Sequence, residues 1–148
     1  MVQPSVLFLC VHNAGRSQMA AAFARSFGEG RVVVHAAGTA PGETLHPGVV
    51  AAMQEIGLDI SRASPQRLTD EMGRAADVIV TMGCGDSCPV YPQKRYLDWQ
   101  LDDPAGKSID EVRPIRDDIE RRVRALIAEL LDVRNDGHDV EPEGQPVG

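Results

Sequence analysis

Val6-Leu7-Phe8-Leu9-Cys10-Val11-His12-Asn13-Ala14-Gly15-Arg16-Ser17-Gln18-Met19-Ala20-Ala21-Ala22-Phe23-Ala24-Arg25-Ser26-Phe27 reads as a strand running directly into a helix. Val6 to Leu9 is a short β-prone apolar run. From Ser17 to Phe27 the residues Met19, Ala20, Phe23 and Phe27 fall on one face of a helical period. A loop wrapped between a strand end and a helix N-terminus aims several backbone N–H groups at one point, where the helix dipole adds partial positive charge. Residues Val11, His12, Asn13, Ala14, Gly15 and Arg16 are therefore read as an oxyanion-binding loop.

The same field favours a thiolate at Cys10, and the thiolate is the nucleophilic form. The planar fork of Arg16 matches two oxygens of a tetrahedral anion, and Ser17 is placed to donate a hydrogen bond to the sulfur. Asn13 and Gly15 are residue types that tolerate the positive φ of a tight cradle. The alternative is an inert cysteine buried at the end of a core strand, the commoner fate of a lone Cys.

Beyond this stretch the chain continues to alternate. Arg31–Gly38 predicts a second strand, closed by the Pro41-Gly42 turn. A helix starts at His46-Pro47 with a stripe of Val49, Val50, Met53 and Ile56, and Gly57 stops it. A short helical segment over Leu68–Arg74 precedes a third strand, Ala76–Met82, and Lys94–Trp99 predicts a fourth. Ser108 and Glu111 form a capping-box pattern ahead of a stripe of Ile115, Ile119, Val123, Leu126, Ile127 and Leu130. Pro114 marks either the first turn of that helix or a kink. Residues 1–133 are read as one domain, and 134–148, polar with Gly and Pro, as a disordered tail. The fold class is α/β: a four-stranded parallel sheet flanked by helices on both faces, with chemistry at the C-terminal strand ends.

The 148 residues are 43% apolar and 25% charged, which suits one ordinary domain with its own core. No leader or membrane-spanning run is legible, so a cytoplasmic location is expected. The net charge of −7 disfavours nucleic acid and repels small anions at long range. An anion site must therefore be built locally. Three cysteines, an odd number, point to reactive thiols over a disulfide framework.

Cys84 and Cys88 stand four apart in Gly83-Cys84-Gly85-Asp86-Ser87-Cys88-Pro89, within disulfide reach if they share a helical turn. A single Cys-x3-Cys pair lacks the second pair or spaced histidines of a zinc site, so no metal is expected. His12, His35, His46 and His138 are scattered along the chain. Asp103-Pro104 follows the fourth strand; Asp-Pro is a common turn pair, but an aspartic acid beside an anion site can also protonate a departing oxygen.

Cys-x5-Arg-Ser at the first junction, together with Asp103-Pro104, resembles the low-molecular-weight protein tyrosine phosphatase superfamily. Arg16-Ser17-Gln18-Met19-Ala20, the Asp102–Lys107 stretch and the Cys84/Cys88 pair narrow the resemblance to its arsenate reductases, over about Ser5 to Leu131. The resemblance implies that Cys10 attacks arsenate held by Arg16 and the loop, while Asp103 protonates the leaving oxygen. Cys84 and then Cys88 carry the oxidation outward as a disulfide, which thioredoxin reduces. Phosphate and sulfate are the expected competing oxyanions, and a monomer is expected.

A related group is recycled by mycothiol and a glutaredoxin-like protein. Gly83 stands where thioredoxin-coupled enzymes carry the first of their later cysteines, which leaves both reductants open. His12 replaces the more usual glycine. Those enzymes also hold a potassium ion; of its side-chain positions only Asn13 is kept, the others falling on Ala21, Ala36 and the Pro65-Gln66 region, so no potassium dependence and no cofactor are expected. Two other classes remain: a tyrosine phosphatase, and a noncatalytic thiol sensor or oxyanion-binding module.

Overall fold

A computed structural model describes residues 3–83 and 90–135 of the chain. Strands β1 (Ser5–Cys10), β2 (Val33–Gly38), β3 (Val78–Thr81) and β4 (Arg95–Asp98) form one sheet in the order β2-β1-β3-β4, and every pairing is parallel. The helices are α1 (Arg16–Gly28), α2 (Pro47–Gln54), α3 (Asp70–Ala75) and α4 (Ile109–Asn135). β1 is central and buried along its whole length, which is why it reads as a continuous apolar run.

Alternation along β1 divides the interior. Val6, Phe8 and Cys10 face a large core with Met19 and Phe23 of α1, Val49 and Met53 of α2, and Ile119 and Val123 of α4. Leu7 and Leu9 face a smaller cluster with Ile79, packed by Met72, Tyr91 and Tyr96. Three helices thus cover one face, and the short α3 with the chain before β4 covers the other. From β1 the chain winds outward to β2, and from β3 outward to β4. The switch point of this topology lies between the C-terminal ends of β1 and β3, where ligands bind in open parallel sheets.

Several local readings are refined. α2 is closed by Gly57 (φ +86°) with Leu58 N–H donating to the Met53 carbonyl at 3.0 Å and Gly57 N–H to the Gln54 carbonyl at 3.0 Å. Ile56 therefore sits in the closing turn, 41% exposed, and does not extend the buried stripe. The helix before β3 starts at Asp70, because Thr69 caps it by accepting from Met72 N–H at 3.2 Å. In the Ser108/Glu111 pattern the glutamate arm is formed, with its carboxylate accepting from Ser108 N–H at 3.0 Å. Pro114 lies inside α4, five residues past its start, so it does not mark the first turn. α4 also runs through Asn135, past the expected start of the tail at residue 134, while residues 136–148 lie outside the described residues.

α2 is clasped to α4 by charge. Glu55 accepts from Arg113 at 2.8 and 2.9 Å and from the buried Arg116, whose Nη1 also donates to the Ala52 carbonyl at 2.8 Å. Hydrogen bonds from Arg113 and then Arg116 hold the Glu55 carboxyl well below the usual range, at about 2.

Candidate active site

β1 ends at Cys10 and α1 begins at Arg16, so residues 11–15 make the junction loop at the switch point. Its carbonyls are held from outside. Thr39 N–H donates to the Cys10 carbonyl at 3.2 Å, Ala40 to Val11 at 2.8 Å, Gly42 to His12 at 3.0 Å and His46 to Ala14 at 3.0 Å. With its carbonyls turned outward, the loop keeps N–H groups for a ligand: those of His12, Ala14 and Gly15 meet no protein acceptor among the described residues. The open first turn of α1 adds its own donors and dipole.

Cys10 is 3% exposed at the base of this cradle. Its Sγ accepts from Asn13 N–H at 3.3 Å and lies 2.9 Å from Ser17 Oγ. The direction of the Ser17 bond follows from its neighbours. Gln66 N–H, which can only donate, reaches Asn13 Oδ1 at 2.8 Å and so fixes which end of the Asn13 amide is oxygen. Asn13 Nδ2 then donates to Ser17 Oγ at 2.6 Å, leaving the Ser17 proton directed at the sulfur.

Asn13 is fully buried, with φ at +52°. Its side chain braces the loop from within, and its positive φ is the one the sequence reading expected of it. Gly15 departs from expectation in another way. Its φ is −147°, so positive φ is not what requires glycine there. A Cβ would stand 2.7 Å from Pro104 Cγ and 3.2 Å from His46 Cδ2, so the requirement is close approach.

Arg16 is largely buried, with Nη1 3.4 Å from the Leu101 carbonyl and Nη2 3.9 Å from Asp103 Oδ1. Asp103 is exposed, its carboxylate accepting from Ala105 N–H at 3.0 Å, and the buried Pro104 seats this turn against Gly15. The structure therefore brings together Cys10, Arg16, Ser17 and Asp103 from two segments far apart in the chain. His12 is exposed beside them, Val11 half-buried and Ala14 buried. At the end of β3, Gly83 (φ +94°) passes so close to Arg16 that a Cβ would lie 2.5 Å from Nη1. Cys84 and Cys88 lie outside the described residues.

The positions where the resemblance implies a potassium ion do not fit one. Ala21 and Ala36 are buried and bring no side-chain oxygen, and Asn13 Oδ1 is already engaged by Gln66 N–H and by Gln18 Nε2 at 3.0 Å. Among the described residues no group of three or more His, Cys, Asp or Glu could hold a metal, and no helix is long and apolar enough to cross a membrane.

Sequence reasoning missed Gln18, Gln66 and the seat of Pro104. Gln18 follows Ser17 on α1 as an ordinary polar helix residue, and only the packing of the 64–66 segment over it reveals its burial.

Residues 5–135 match the family described as low molecular weight phosphotyrosine protein phosphatase. A putative arsenate reductase of Halobacterium salinarum is 41% identical over 128 residues, covering 83% of this chain and 90% of that protein. A glutaredoxin arsenate reductase of Synechocystis is 36% identical over 128 residues, covering 84% and 97%. The solved thioredoxin-dependent arsenate reductase of Corynebacterium glutamicum superposes with a TM-score of 0.75 at 43% identity, over 88% of this chain. That match spans 63% of the longer Corynebacterium chain. With a family match across nearly all the described residues and the four-stranded parallel sheet common to it, this chain belongs to the low molecular weight phosphotyrosine protein phosphatase family.

Proposed function

We propose that this protein reduces arsenate to arsenite through Cys10, Cys84 and Cys88, with thioredoxin recycling the oxidised form. The observation that carries the reading is Gly83 against Arg16: the residue bonded to Cys84 borders the oxyanion cradle. In the first step the Cys10 thiolate attacks arsenic. Arg16 and the free loop amides hold the oxygens, and Asp103 protonates the departing oxygen, which leaves as water. Ser17 O–H stabilises the thiolate before attack. Cys84 then attacks Cys10 Sγ; the S–As bond breaks with its electron pair staying on arsenic, which leaves as arsenite. Cys88 attacks Cys84, freeing Cys10 as a thiolate, and an external dithiol reduces the Cys84–Cys88 disulfide. Two thiols supply the two electrons, so the chemistry requires no metal or organic cofactor. Phosphate and sulfate compete for the same cradle, and a reducing compartment such as the cytoplasm suits thiols that cycle reversibly.

A phosphatase reading needs only Cys10, Arg16 and Asp103, and the family contains phosphatases by name. The aromatic residues weigh against it. All six are committed elsewhere: Phe8 and Trp99 pack together at 6.1 Å, Phe23 on Phe27 at 5.8 Å, and Tyr91 and Tyr96 against the second core cluster. None is left to stack on an aryl phosphate. A noncatalytic sensor predicts oxyanion binding with no turnover.

The test is arsenate-dependent NADPH oxidation with thioredoxin and its reductase, repeated with mycothiol and a glutaredoxin-like protein. The same preparation is assayed for aryl phosphate hydrolysis. Multiple turnover with thioredoxin, abolished by Cys84→Ser, is expected. Activity only with the small thiol supports the second recycling route, and turnover by Cys84→Ser with thioredoxin overturns the internal relay.

A further inference from the structure

Gln18 makes hydrogen bonds that a polar residue in the first turn of a surface helix has no cause to make. It is 6% exposed, and the two protons of its Nε2 are shared among the Asn13 carbonyl at 3.1 Å, Asn13 Oδ1 at 3.0 Å and the Ser64 carbonyl at 3.3 Å. Two of the three acceptors belong to one residue, the one in left-handed conformation at the centre of the loop. Gln66 N–H holds the same Oδ1 from the other side. Asn13 is thus gripped at its backbone carbonyl and side-chain oxygen, leaving Nδ2 one direction to point, toward Ser17 Oγ.

We propose that Gln18 is a positioning residue for the nucleophile, acting through Asn13 and Ser17 to keep a hydroxyl proton directed at Cys10 Sγ. Without the Gln18 clamp, Asn13 Oδ1 keeps one partner and its carbonyl loses one. The side chain and peptide then gain freedom to turn, and Ser17 can rotate its proton toward another acceptor. Gln18 touches neither the sulfur nor the cradle opening, so its effect falls on the reactivity of Cys10 and not on oxyanion affinity. The proposal rests on Cys10 as the nucleophile and holds for any electrophile that thiolate meets.

The experiment compares wild type, Gln18→Met and Gln18→Glu in the full chain. Gln18→Met keeps the length and removes all polarity. Gln18→Glu keeps the shape but replaces the donor with an acceptor facing three oxygens. Gln18 also lines a cavity of about 500 Å³ with Ala22, Leu58 and Ile60, so neither replacement overfills a closed core. Alkylation of Cys10 by iodoacetamide is followed across pH by peptide mass spectrometry, which separates it from Cys84 and Cys88, alongside steady-state arsenate reduction.

Both variants are expected to alkylate at Cys10 about tenfold more slowly at neutral pH, the worth of one hydrogen bond, with the rate profile moved to higher pH. kcat is expected to fall by a similar factor and KM for arsenate to stay within about threefold, because the anion-binding amides are untouched. Added to Asn13→Ala, Gln18→Met is expected to cost little more, since both act through one amide. If Gln18→Met does not fold, Gln18→Glu carries the same comparison. An unchanged Cys10 profile in a folded variant, or losses that add fully to those of Asn13→Ala, overturns the proposal. Slowed alkylation in a protein whose wild type does not reduce arsenate leaves the positioning role standing and removes the proposed function.

Discussion

Asn13, Gly15 and Gly83 show how single residues set the cradle by different physics. Asn13 takes φ of +52° and uses its amide as an internal brace. Gly83 gives Arg16 its room. Gly15 lets Pro104 sit against the loop and so sets where Asp103 stands relative to Arg16. Gly15→Ala places a methyl 2.7 Å from Pro104 Cγ, which forces the 103–105 turn outward. Overpacking of this kind costs about 1–3 kcal/mol. The expected outcome is a folded protein with lower urea resistance and a fall in kcat larger than the rise in KM, because in the proposed mechanism the displaced Asp103 is the group that protonates the leaving oxygen. Urea titration and steady-state kinetics read the two effects separately.

Among the elements, α2 and α4 meet at Glu55, Arg113 and Arg116, and their attachment depends on pH in a defined direction. The folded carboxyl of Glu55 titrates at about 2, below its ordinary 4.5. A depressed carboxyl contributes stability that is fully present above the unfolded value and is lost as pH falls through the folded one. Glu55→Gln is therefore expected to lower the thermal midpoint at neutral pH, with the gap to wild type closing between about 4.5 and 2. Calorimetry over that range checks it, and a gap that stays constant with pH contradicts the clasp. The apolar stripe of α4 was legible from its spacing, but the partner of its buried Arg116 was not. Glu55 lies 61 residues earlier, in a turn whose place above α4 is a product of packing.

For the whole molecule, the one-sided arrangement of three helices over β1 makes α4 the main cover of the large core. Ile119 is fully buried there. Ile119→Ala is expected to cost about 2–5 kcal/mol, the range for deleting a large aliphatic side chain from a packed core. Urea titration should show a lower midpoint at an unchanged slope. The local bonds around Cys10 should survive, so Cys10 alkylation in the folded variant should match wild type.

The strand-loop-helix of residues 6–27, the alternation of apolar runs with helical stripes and the stop at Gly57 were all set locally, by periodicity and by residues that punctuate a backbone. Those features determined the parallel α/β class and nominated Cys10, Arg16, Ser17 and Asp103 before any contact was visible. Tertiary structure decided what depends on meetings between distant segments. It turned the carbonyls of Cys10, Val11, His12 and Ala14 outward onto residues 39–46, seated Pro104 on Gly15, ran Gly83 along Arg16 and buried Gln18 beneath residues 64–66. Each of these is a close approach between segments far apart in the chain, and a single sequence records the residue types but not which of them will touch.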